Sequence, residues 1–151
     1  MVKELDEILY DALTSDSEIM AACGYPDSPA RIFSTCVEVS PLEKDNTPLP
    51  YIIIMDDGFQ NDIETKDDVW EGNSDHVAAS IMVCAESRDE AVTLCNQCRL
   101  AVSQHIRDML QQQLPVPDLQ ALTSPGTDWD WQKPCYHKTL QYQCDIDREN
   151  V

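Results

Sequence analysis

The chain has 151 residues, with 28 acidic residues against 10 Lys and Arg, a formal net charge of −18, 42% hydrophobic residues and 25% charged residues. A chain of this length is expected to form one domain over residues 1–151 and to bury roughly 70% of its unfolded surface without staples. Its charge argues against a protein that grips nucleic-acid phosphate or an anionic membrane surface, since both need clustered Lys and Arg, and no stretch approaches the ~18 apolar residues of a membrane span.

The first residues are acidic, with spaced apolar positions. That is not a signal-peptide pattern, so synthesis in a cytosol is expected. Val2, Leu5, Ile8, Leu9, Ala12 and Leu13 recur at helical spacing over 2–14. Ser15 and Asp16 offer caps for a short helix through Ile19 to Cys23, with Gly24 as its stop. Pro26 and Pro29 mark a connector. Ile32 to Val39 reads as a strand, with Phe33, Thr35, Val37 and Val39 on one face and Ser34, Cys36 and Glu38 on the other. Residues 40–50 form a proline-containing loop.

Tyr51 to Met55 is an apolar, β-branched run that reads as a central strand buried on both faces. It breaks into Asp56-Asp57-Gly58. Residues 56–75 hold eight acids (Asp56, Asp57, Asp62, Glu64, Asp67, Asp68, Glu71 and Asp75) against Lys66 alone. With Gly58, Gly72 and Asn73 as turn residues, they read as a long, partly extended hairpin arm; a solvated loop is the plainer alternative. His76 to Ala85 is a further strand, with Val77, Ala79, Ile81 and Val83 alternating against Ala78, Ser80, Met82 and Cys84. Ser87 with Glu90 is a capping box that opens a helix from Arg88 to about Gln112. Its buried stripe is Ala91, Leu94, Cys95, Cys98, Val102, Ile106 and Met109. Residues 114–135 are irregular, with room for a short strand near Leu119–Thr123 or for an arm used in assembly. Tyr136 to Ile146 is a half-buried last strand, with Tyr136, Leu140, Tyr142, Cys144 and Ile146 inward.

The expected fold is therefore α+β. A single small mixed or antiparallel sheet of about four strands is flanked by an N-terminal helix and one long helix, in the order α-β-β-β-α-β.

No catalytic, cofactor or metal site emerges. Cys95-Asn96-Gln97-Cys98 is a CxxC, but it lies two turns inside a helix on its buried stripe. A redox pair belongs at the first turn, where the helix end stabilises a thiolate. Seven cysteines in a chain of this size read as free, mostly buried thiols rather than a disulfide framework. A zinc set of Cys95, Cys98, Cys135 and Cys144 lacks a second tight pair. Asp56-Asp57 and Asp67-Asp68 offer oxygen ligands for calcium without EF-hand spacing. His76, His105 and His137 belong to no recognisable motif. Trp70, Trp129 and Trp131 are candidate interface aromatics in polar surroundings; the alternative for Trp129 and Trp131 is a cap over the sheet edge.

Four local stretches carry a resemblance. Leu13-Thr14-Ser15-Asp16 leads from the first helix toward Arg31-Ile32-Phe33. A loop then ends in Pro50-Tyr51-Ile52-Ile53-Ile54. After a hairpin and a further strand, Asp89-Glu90-Ala91 to Arg99-Leu100-Ala101 lies on a long helix. In this order the chain resembles the tail-completion and tail-terminator proteins of long-tailed bacteriophages and prophages. That resemblance implies a structural virion protein of the tail or neck, made in the host cytoplasm and without an active site. It implies a hexameric ring that caps the tail tube, ends its growth and joins tail to head through a head-side connector, with DNA passing through unbound. A different head–tail connector or neck protein is the nearest alternative. A small cytosolic thiol protein using Cys95 and Cys98, or a monomeric binding module, belongs to another class. The seven cysteines and the acidity are departures that the resemblance does not account for.

Overall fold

Leu5, Ile8, Leu9, Ala12 and Leu13 are all buried, and this stripe makes α1 (Leu5–Thr14) a helix laid against a core. In this computed structural model the described residues are 4–34, 48–62, 74–114, 120–121, 127–130 and 135–147. Asp16 then starts α2 (Ser17–Ala22) by accepting from the backbone N–H groups of Glu18 and Ile19 at 2.9 and 3.0 Å. At its other end Gly24, at φ +101, closes the helix. Its N–H donates to the Ala21 carbonyl and the Tyr25 N–H to the Met20 carbonyl, a Schellman motif.

The strands follow as β1 (Ile32–Ser34), β2 (Tyr51–Asp62) and β3 (Ser74–Ala85). Then come α3 (Arg88–Gln111), β4 (Gln120–Ala121), β5 (Asp128–Asp130) and β6 (Cys135–Asp147). The fold is α+β on one mixed sheet, in the order β1-β2-β3-β6-β4, with β5 also paired to β6. β1 runs parallel to β2, pairing Ile32 with Ile52. The other pairings are antiparallel. The sheet holds the four expected strands and two more, six in all. The additional two are β4 and β5, both in the region expected to be irregular, and β4 falls where a short strand had room. Such pieces are too short to show periodicity, and pairing with β6 is what defines them. The remainder of the expected strand 32–39, from Thr35 on, lies outside the described residues.

Period-2 alternation sorts the sheet into two faces. Ile52, Ile54, Val77, Ala79, Ile81, Val83, Leu140, Tyr142 and Cys144 point toward α1 and α3 and form the main core. The opposite face holds a smaller cluster of Tyr51, Cys84 and Cys135 with Phe33, Leu49, Ile53 and Met82. β2 is therefore interior to the sheet but not buried on both faces throughout: Ile53 and Met55 are half-buried.

Candidate functional site

The acid at the end of the Tyr51–Met55 run does not end the strand. β2 continues through Asp62, and residues 56–62 pair with 74–79 of β3. β6 pairs with β3 out to Asp147 opposite Ser74, so the base of the expected arm is three strands wide. A β-bulge sits at its base, where Asp57 and Gly58 oppose Ala78 alone. Gly58 takes φ +92, a conformation that favours glycine, and a Cβ there would meet open space.

The two acids of the bulge are used locally. Asp56 accepts from the Gly58 N–H at 2.9 Å. Asp57 Oδ2 accepts from the Ser80 hydroxyl and from Gln141 Nε2, the latter at 3.1 Å. Both carboxylates remain exposed. One side chain thus ties β2, β3 and β6 together on the face away from the helices. Sequence reading missed this link because its partners are 23 and 84 residues distant. Asp62 lies on the β2 backbone. Glu64, Asp67, Asp68, Glu71 and Trp70 lie outside the described residues, as does Trp131. Trp129 lies on β5, paired with Tyr136.

The cysteines are sorted by the sheet. Cys95 and Cys98 lie on the buried side of α3 in the main core, together with Cys23 and Cys144. Cys135 belongs to the opposite cluster, so the four-cysteine zinc set is not brought together. Burial pushes the Cys95 thiol up and the Cys98 thiol well up, and Cys95 and Cys23 add to the effect at Cys98. Burial also pushes Cys23 up to about 11, against the opposing charge of Arg31. A nucleophilic or redox thiol needs the opposite shift. The histidines lie on three different elements: His76 on β3, His105 on α3, and His137 on β6, paired with Cys84.

Two surface features remain. Glu18, Ala22 and Pro50 face Asp89, Glu90, Thr93, Leu94 and Gln97 across an open groove of about 420 Å³. Its floor is apolar and its charged groups are all carboxylates. Gln97 Nε2 donates to Asp16 Oδ2 at 3.0 Å, which ties α3 to the start of α2. Further along α3, Leu100 and Leu110 are 64% and 60% exposed, against the usual preference of leucine. Neither belongs to the buried stripe, and that mismatch of phase was the available sequence signal.

Two of the resemblance segments also meet. Arg31 Nε donates to the Pro50 carbonyl at 3.0 Å, and the Ile52 N–H donates to the Arg31 carbonyl at 2.9 Å. The Phe33 and Tyr51 rings lie 6.4 Å apart, tilted by 58°. No protein-family model matches the chain, and none of the curated proteins compared with it is similar to it.

Proposed function

We propose that this chain is a structural virion protein whose copies form a ring on the end of a phage tail tube, halting tube growth and joining tail to head. The observation that carries the reading is the joining of Arg31-Ile32-Phe33 to Pro50-Tyr51-Ile52-Ile53-Ile54. These stretches are separate in sequence, yet they form one parallel strand pair locked by the Arg31–Pro50 hydrogen bond. The pairing of three strands at the base of the expected acidic arm adds support, because it carries that segment's ends out from the sheet. In a ring, closed symmetry multiplies that charge by the number of copies, and an inward-facing arm would keep DNA from sticking. The partners in this reading are other copies, the tube protein and a head-side connector. The role needs no catalysis, and the raised cysteine pKa values favour core packing over thiol chemistry.

The test is tube assembly with the tube protein encoded beside this chain, read by electron microscopy. The expected result is tubes of limited length with a ring at one end and the arm toward the lumen. Tubes that elongate equally with and without the chain overturn the reading, and an arm on the outer rim overturns the DNA-repelling role.

A further inference from the structure

We propose that α3 is a self-association surface, on which the stripe of Arg99, Leu100, Arg107 and Leu110 docks into the acidic groove of a second copy, between Glu18 and Glu90. This rests on the ring reading for the number of copies and identifies the contact between them. Successive positions on a helix turn by about 100°, so these four side chains fall within one face about 100° wide. That face is opposite in character to the rest of the chain. Three of its five arginines lie on α3, and two of them flank the exposed leucines. Arg107 makes no ion pair among the described residues. The groove is the complement: Ala22, Pro50 and Leu94 supply apolar contact, and Glu18 and Glu90 supply negative charge, while Asp89 has Arg88 at 3.9 Å.

A second copy fits this groove better than an unrelated partner, because the same helix carries both halves of the match. Seating the leucines on the groove floor removes apolar surface from water, while the arginines reach the carboxylates at the rim. Two molecules at −18 repel at a distance, but a Debye length near 8 Å at physiological salt leaves the local pairing to decide the contact.

The test uses sedimentation of the full chain and two charge-reversed forms. One carries Glu18→Lys and Glu90→Lys, and the other Arg99→Glu and Arg107→Glu. Circular dichroism checks that each is folded. Wild-type chain is expected to self-associate, each reversed form to do so at least about tenfold more weakly, and an equimolar mixture of the two to recover association. Leu100→Ser with Leu110→Ser, which keeps every charge, is expected to weaken association as well. A wild-type chain that stays monomeric to about 1 mM overturns this contact, while the ring reading remains subject to the tube assay. Assembly that ignores the reversals also overturns the contact and leaves the ring standing. Recovery in a closed dimer, with no larger species, upholds the contact and removes the ring.

Discussion

Asp16 shows how much one side chain can hold. One oxygen caps two N–H groups of α2 and the other accepts from Gln97 of α3, so the residue starts one helix and fastens another. Asp16→Ala is expected to cost about 2 kcal/mol, the sum of a lost cap and a lost charge-assisted bond, and Asp16→Asn to recover most of it; urea unfolding measures both. The Tyr142 hydroxyl is the converse case. It is buried and has no hydrogen-bond partner among the described residues, and burial raises its pKa. Tyr142→Phe removes an unsatisfied group and should leave stability unchanged or raise it by about 1 kcal/mol. Cys23 gives a pH dependence with a definite sign. Its folded pKa lies above the ordinary thiol value of 9.0, at about 11. Its contribution is therefore complete below pH 9.0 and is lost as pH rises toward 11. Cys23→Ala should flatten that alkaline loss in melts recorded across the interval.

At the scale of elements, the two Schellman motifs form a natural comparison. Gly24 closes α2 with no Cβ, and adding one would drive it into the Arg31 guanidinium and the Ser28 hydroxyl. α3 closes through the same pair of bonds, Gln113 to Leu110 and Leu114 to Met109, but with Gln113 at φ 59. Gln113→Gly is thus expected to stabilise by up to about 1 kcal/mol, and Gly24→Ala to destabilise by more than that; thermal melts separate the two. The long elements were legible because their patterns are local. Ser87 does accept from the Glu90 N–H at 3.1 Å, and α3 runs from Arg88 to Gln111 with nearly the expected stripe buried. β3 alternates as read, and β6 does so at Leu140, Tyr142 and Cys144, while Tyr136 is half-buried and the Ile146 side chain lies outside the described residues. What escaped was set by distant pairing. Asp57 and Gly58 read as the start of a turn, yet they form a bulge within an unbroken strand, because β3 continues opposite them. The groove escaped for the same reason: Pro50 reaches it from another part of the chain.

At the scale of the molecule, charge is the dominant global quantity. A net charge of −18 on 151 residues sets the folded state against its own repulsion. Moderate sodium chloride should raise the melting temperature by screening it, and a melt series at fixed pH reads the effect. The sheet has a second global property. β6 lies between β3 on one side and β4 and β5 on the other, so residues 135–147 form an inner strand. During synthesis the pairing edge of β3 therefore stays open until that segment leaves the ribosome, and an uncovered edge of this length invites wrong partners. Nascent chains stalled before residue 135 should collect with chaperones, and emergence of residues 135–147 should mark the moment of folding.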